Sequence, residues 1–310
     1  MESLSFTLRP IPPFRLDLTS WALRRRAHNQ IDRWDGASWR RVLVLGDQPL
    51  EAVVNQSGTA DHPRLQVVLS GARIPPHAKN EAAELLRRIL GLRVDLSSFY
   101  RLAAQDKLLA PLAARFRGLK PPRFPTVFEG LVNAIACQQL SLTVGIWVLN
   151  RLAEQAGPTV RSDDVTQHAF PRPTDVIRLD EDVLRSMGFS YSKARYVIAA
   201  SKRAAGSDLN AEQLERLDDS TVLEQLVSLH GVGRWTAEYV LLRGLGRINI
   251  FPGDDVGARN RLAGWLGRDR PMEYQQVQRA VARWQPYSGL VYFHLLLDGL
   301  AQSGAIPASG

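Results

Sequence analysis

The chain contains a single cysteine, Cys137. A disulfide within the chain is therefore impossible, as is a four-cysteine iron–sulfur cluster or a cysteine-rich zinc site. The six histidines are scattered without metal-ligand spacing, so no cofactor and no metal bound by side chains are expected. No apolar run approaches the length of a membrane span. Residues 1–14 (MESLSFTLRPIPPF) lack the apolar core of a signal peptide. A soluble intracellular protein with no membrane contact is expected.

What remains is the composition of a globular protein, 45% hydrophobic over 310 residues, with room for two or three modest domains. The net charge is +8 and the pI about 10.0. An excess of this size suits a polyanionic partner, although solubility alone accounts for many basic proteins.

Residues 1–105 read as an α/β unit with an antiparallel sheet. Alternating stretches at 5–8, 15–18, 41–45 (RVLVL), 51–55 and 65–69 (LQVVL) are expected strands, separated by prolines and by turns such as Gly46-Asp47 and Ser57-Gly58. Residues 78–90 form an amphipathic helix stopped by Gly91. The run Arg24-Arg25-Arg26 is either a phosphate contact or a solvated helix face. Residues 106–305 are expected to be helical, in two subdomains, with residues 306–310 a flexible tail. The stretch 126–154 (TVFEGLVNAIACQQLSLTVGIWVLNRLAE) is apolar at helical spacing until Gln138-Gln139-Leu140-Ser141 interrupts it. Polar residues there fit a short loop between two helices. Short helices follow at 182–187 and 191–204, the second with a basic outer side, and others at 274–284 and 290–300.

The most informative stretch is 229–255, LHGVGRWTAEYVLLRGLGRINIFPGDD. A helix over 218–229 stops at His230-Gly231-Val232-Gly233, and another begins at Trp235. Glycines permit positive φ and let a ligand approach the backbone. The free N–H groups of the next helix, with its positive dipole end, suit an anion such as a phosphate; Arg234 and Arg243 add charge. The plain alternative is a helix corner with a glycine stop. Asp254 and Asp255 follow and are candidates either for chemistry or for capping the 256–266 helix.

The pattern L-x-G-V-G-x-x-T-A followed by F-P-G-D-D resembles the helix-hairpin-helix (HhH-GPD) DNA glycosylases, and most closely their 3-methyladenine DNA glycosylase II branch. The likeness spans most of the chain and is strongest over 124–294. It implies a mainly α fold with an N-terminal α+β domain and an active-site cleft between helical subdomains. It also implies a monomer acting on damaged double-stranded DNA, cytoplasmic or nucleoid-associated, with no obligate protein partner. Asp255 aligns with the family's catalytic aspartate. Gln138, Gln139 and Ser141 match a segment that lies at the DNA, and Gln139 aligns with the side chain that fills the gap left by an extruded base; a relative has leucine there. Gly231, Gly233, Arg234 and Thr236 are the expected backbone grip, and Ser192 and Lys193 a further phosphate contact. Hairpin carbonyls near His230 are where family members hold a monovalent ion.

Trp235 stands where bifunctional relatives have a nucleophilic lysine, which implies a glycosylase without lyase activity. An indole cannot form a Schiff base, and it suits a cationic base by stacking. Tyr239, four residues on, shares that face. The plain alternative makes both rings core. The family's second pocket tryptophan is replaced near Leu296, and the arginine after its W-x-P-[YW] turn is Ser288. Alkylated purines such as 3-methyladenine are the implied substrates. A glycosylase for hypoxanthine or uracil, a non-catalytic DNA grip and a helical scaffold for protein partners remain alternatives.

Overall fold

The computed structural model describes residues 1–162, 165–206 and 208–306. It is mainly helical with an N-terminal antiparallel sheet, as expected. The sheet holds β1 (Glu2–Leu8), β2 (Arg33–Trp34), β3 (Ser38–Leu45), β4 (Gln48–Ser57) and β5 (Arg64–Gly71) in the order β1-β5-β4-β3-β2, all neighbours antiparallel. The period-2 pattern of β5 turns Leu65, Val67 and Leu69 inward, and the register sets Val54 against Val67 and Ala52 against Leu69. The Ala78–Ile89 helix covers that face with Ala78, Ala82, Leu86 and Ile89.

Residues 15–18 are not a strand. Arg15 precedes a helix, Leu16–Arg24, whose buried Leu16, Thr19, Ser20 and Leu23 follow the helical period. The alternation Leu-Asp-Leu is too short to outweigh that longer pattern. Asp17 in the first turn also suits the helix N-terminus and pairs with Arg15 at 2.6 Å.

Two further cores lie in the helical part. One gathers the inner faces of Val127–Cys137, Leu142–Ala156, Tyr191–Ala205 and Arg234–Arg243. The other joins Ser97–Ala104 and Leu109–Arg115 to Val256–Trp265, Tyr274–Val281 and Ser288–Gln302. Leu96, Phe99 and Ala103 thus pack with the C-terminal helices rather than with the sheet. The sheet is fastened to the helices by Arg41 of β3, which donates to Asp32 at 3.0 Å and to Glu129 at 2.6 Å. Burial works against the Arg41 charge, but the two carboxylates more than restore it and hold its pKa above the usual value.

The break at 138–141 is a loop. Thr126 caps the helix before it, accepting from the Glu129 amide at 3.0 Å. Ser141 caps the helix after it, accepting from Val144 at 3.3 Å. No helix is long and apolar enough to cross a membrane among the described residues.

Candidate active site and nucleic-acid interface

Asp255 is the N-cap of Val256–Trp265. Its Oδ1 accepts from the Ala258 amide at 2.8 Å, and its Oδ2 accepts from the Tyr292 hydroxyl at 3.2 Å. Burial, and then the Asp255 charge, push Tyr292 well above its ordinary pKa, so the phenol keeps its proton and donates. Asp254 turns the other way: Arg234 holds its Oδ2 at 2.7 Å while lying 3.7 Å over the Tyr274 ring.

The loop that carries both aspartates is clamped by Glu238. This buried carboxylate accepts from the Gly253 amide at 3.0 Å and from the Tyr274 hydroxyl at 2.6 Å. Desolvation raises its pKa. Glu238 and Tyr292 were not foreseen. Glu238 is the one charged residue in the run 235–242 of a helix buried on all sides, and that is the signal the sequence offers for it. Tyr292 lies one turn before Leu296 on the same helix, and nothing local marks it.

The hairpin joins Asp219–Val227 to Arg234–Arg243. Gly231 has φ +82°, and a Cβ there would run into the Tyr196 ring. Gly233 has φ −93°, an ordinary value, and among the described residues a Cβ there would meet nothing within 4 Å. Of the two glycines that permit positive φ, the fold uses that freedom at Gly231 and not at Gly233. What Gly233 does is leave the amides at the helix N-terminus uncovered. His230 is exposed and sits edge-on to Tyr196, with ring centroids 4.9 Å apart.

The interrupting loop meets this hairpin. Gln138 Nε2 donates to the Gly231 carbonyl at 2.9 Å and to Thr236 Oγ1 at 3.0 Å. Gln138 is thus a brace, and the Thr236 hydroxyl points inward rather than outward. Lys193 is also turned in: it is buried, and its Nζ donates to the Ala136 carbonyl at 3.1 Å and the Gln138 carbonyl at 2.5 Å. It satisfies carbonyls at the end of a helix, which a donor must do where water is excluded, and is not free to meet a phosphate. Ser192 beside it is exposed, as are Ser141 and Gln139. Gln139 has φ +52°, a left-handed conformation that costs a residue with a Cβ some strain, and it stands at the tip of the loop.

Trp235 is partly buried against Phe124, Ala134 and Tyr239, with its ring 5.8 Å from that of Tyr239. Tyr239 itself is buried. Its hydroxyl accepts from Arg25 at 2.6 Å, and Arg25 also donates to Asn133 at 2.5 Å. Burial raises the Tyr239 pKa, and among the charges acting on it is that of Asp255. Arg24 and Arg25 are both buried, so the arginine run is not a solvated face. Arg25 enters from the left-handed end of Leu16–Arg24, at φ 61°. Arg243 is buried nearby, donates to the Ala22 carbonyl at 2.8 Å, and lies between the Phe124 and Phe293 rings at 5.3 and 5.2 Å. Leu296 lies in the core of the C-terminal helices, not in the Trp235–Tyr239 cluster. Ser288 closes that helix start by donating to the Asn249 carbonyl at 2.6 Å.

Among the described residues, no group of three or more His, Cys, Asp or Glu is arranged to hold a metal. Of the hairpin carbonyls, those of Leu229 and Gly231 accept from the Val232 amide and from Gln138.

Residues 132–286, half of the chain, match the model of the HhH-GPD superfamily base excision DNA repair proteins. A DNA-3-methyladenine glycosylase of Bacillus subtilis is 26% identical over 82% of this chain and 84% of its own. DNA-3-methyladenine glycosylase 2 of Escherichia coli is 26% identical over 94% of this chain and 96% of its own. The fold is shared with the 3-methyladenine DNA-glycosylase from Archaeoglobus fulgidus, with a TM-score of 0.81 at 23% identity over 97% of this chain and 99% of that one.

Proposed function

This chain belongs to the HhH-GPD superfamily of base excision DNA repair proteins, and from that premise we propose that it is a monofunctional glycosylase that excises alkylated purines from duplex DNA. Asp255 is the catalytic carboxylate. Breaking the N-glycosidic bond gives the sugar oxocarbenium character, and a carboxylate beside it stabilises that charge as it forms. Water then adds to the sugar carbon and gives up a proton to Asp255 or to solvent. The base leaves with the electron pair of the broken bond; an alkylated purine is already cationic and so departs neutral. Little acid catalysis is required of the protein.

The observation that carries this reading is the state of Asp255. One oxygen is spent on the helix cap, and the other has a single donor, Tyr292, at 3.2 Å. It is half-buried, at a helix N-terminus on the loop after the hairpin. The absence of a lyase nucleophile is supported by the lysines. Trp235 stands at the position where bifunctional relatives are expected to have one, and the chain has no lysine after Lys202. Lys193 is committed to two carbonyls. The bared amides beyond Gly233 and the exposed Gln139 tip support a phosphate grip and a residue that fills the gap of a flipped base. Extruding the base costs a few kcal/mol, least when it is damaged or mispaired.

The test uses methylated duplex DNA beside duplexes containing hypoxanthine or uracil, with borohydride present in a parallel reaction. Release of alkylpurines, with strands intact until alkali is added and no protein–DNA adduct, is expected. A trapped adduct or breaks before alkali would overturn the monofunctional assignment. Release of hypoxanthine or uracil alone would overturn the alkylpurine assignment.

A further inference from the structure

The outer side of Leu142–Ala156 is unlike a solvated helix face. Val144 and Trp147 are 44% and 47% exposed, and Leu140, just before the helix, is 41% exposed. Val144, Trp147 and Arg151 fall at i, i+3 and i+7, one stripe of the helix, and Leu140 stands just ahead of it. The N-terminal segment is laid along it. The His28 ring stacks on Trp147 at 4.8 Å and 18°, and its Nε2 lies 3.2 Å from the Thr143 carbonyl. Arg26 Nε donates to Thr143 Oγ1 at 3.2 Å. Asn150 fixes the segment from the other side, donating to the His28 carbonyl at 2.7 Å and accepting from the Gln30 amide at 3.1 Å. Among the described residues Arg26 and Arg151 make no ion pair; their guanidinium groups bond only neutral oxygens, Arg26 Nη1 donating to the Arg25 carbonyl at 2.9 Å and Arg151 Nη1 to the Met187 carbonyl at 3.4 Å.

We propose that this stripe, with Arg26 and His28, is a second DNA-docking surface that takes the backbone of the strand opposite the lesion. The assignment rests on the glycosylase reading above. Three observations favour that occupant. The stripe is continuous with the Gln139 tip, since Leu140 is the next residue. The Val127–Cys137 helix, which ends in the same loop, packs against both the hairpin helix and Leu142–Ala156. The loop therefore has the hairpin grip on one flank and the stripe on the other, so a duplex held by its damaged strand at the hairpin brings its other strand to the stripe. An apolar tread between two arginines that have no carboxylate partner among the described residues also matches a sugar-phosphate chain, with deoxyribose faces against Val144 and Trp147 and phosphates at Arg26 and Arg151. The stack with His28 holds the indole in place before DNA arrives, which lowers the ordering cost of binding.

The geometry sets the location. Trp147 lies on the second turn of Leu142–Ala156, close behind the loop that carries Gln139.

The experiment measures the affinity of the full chain for duplexes with a central abasic-site analogue, the undamaged strand being cut back stepwise from either end. Wild type should lose about tenfold in affinity at one step of the series, on one side of the site only. Trp147→Ala should bind the full duplex about tenfold more weakly and be indifferent to that cut, and Trp147→Phe should keep most of the wild-type response. Arg26→Ala should reduce the slope of log K against log salt by about one. Equal affinities of wild type and Trp147→Ala for the full duplex, or equal responses to the cut, would overturn the second surface and leave the glycosylase reading intact. A wild type that does not prefer the abasic duplex to an undamaged one would overturn the base-flipping reading and this surface with it.

Discussion

Asp255 serves two ends with one side chain, and asparagine separates them. Asparagine caps a helix as well as aspartate does, so Asp255→Asn should melt within about 1 kcal/mol of wild type. A carboxylate that stabilises an oxocarbenium ion has no such substitute, and excision should fall at least about 100-fold. Glu238 is the complementary case. Its two oxygens accept from two different donors, and an amide can accept only through one. Glu238→Gln should therefore cost about 1–3 kcal/mol of stability. It should also lower kcat more than it raises KM, because the clamp positions the aspartate loop without touching substrate. Denaturant melts and steady-state kinetics on the same preparations check both. At this scale the sequence was uneven. Asp255 and Trp235 stand out because a motif carries them. Lys193 and Thr236 were expected at the DNA because the family resemblance places them there. Both instead answer buried neighbours, two carbonyls and the Gln138 amide, that no local pattern reveals. Arg25 comes from more than 200 residues away to reach Tyr239, and only the tertiary fold makes that contact.

Elements were easier to read where punctuation was strong. The polar break at 138–141 is a loop because apolar periodicity stops there, and Gly231 and Gly188 stop helices with φ of +82° and +106°. Residues 15–18 failed because three alternating residues do not distinguish a strand from the first turn of a helix. The last helix, Ser288–Gln302, gives a pH-dependent prediction. His294 is fully buried, its Nδ1 donates to the Leu290 carbonyl at 2.7 Å, and its Nε2 has no partner among the described residues. Burial lowers its pKa to about 4, against an ordinary 6.5. The folded state thus resists a proton that the unfolded chain accepts. Stability from this group is full above pH 6.5 and is lost as pH falls towards 4, by up to roughly 3 kcal/mol. Melts of wild type and His294→Gln across pH 7 to 4 should show the slope in wild type and a shallower one in the variant. Parallel curves would contradict the assignment.

The whole molecule is a basic helical body with a sheet fastened to it at Arg41. Replacing Arg41 by methionine leaves Asp32 and Glu129 buried without their cation, and should destabilise the fold by about 3–5 kcal/mol. The same net charge of +8 should make DNA binding steeply salt-dependent. A grip on six or more phosphates loses at least about a thousandfold between 50 and 200 mM salt. Anisotropy titrations at several salt concentrations measure the slope, and a flat response would contradict a phosphate grip. An N-terminal antiparallel sheet followed by mostly helical chain was legible in the alternating stretches and in the helical spacing after them, but the strand pair Thr159–Ser162 and Val165–His168 within the expected helical part was not. The sharing of Leu96, Phe99 and Ala103 with the C-terminal helices was not, because apolar residues do not name the core they join.

The central claim is that Asp255 drives the excision of alkylated purines. The most direct measurement is single-turnover release of 3-methyladenine from methylated duplex DNA by wild type and Asp255→Asn at equal, saturating protein, with binding measured in parallel. Wild type should release the base, the variant at least about 100-fold less, and both should bind DNA with similar affinity. Equal release rates, or a loss that simply follows weaker binding, would contradict it.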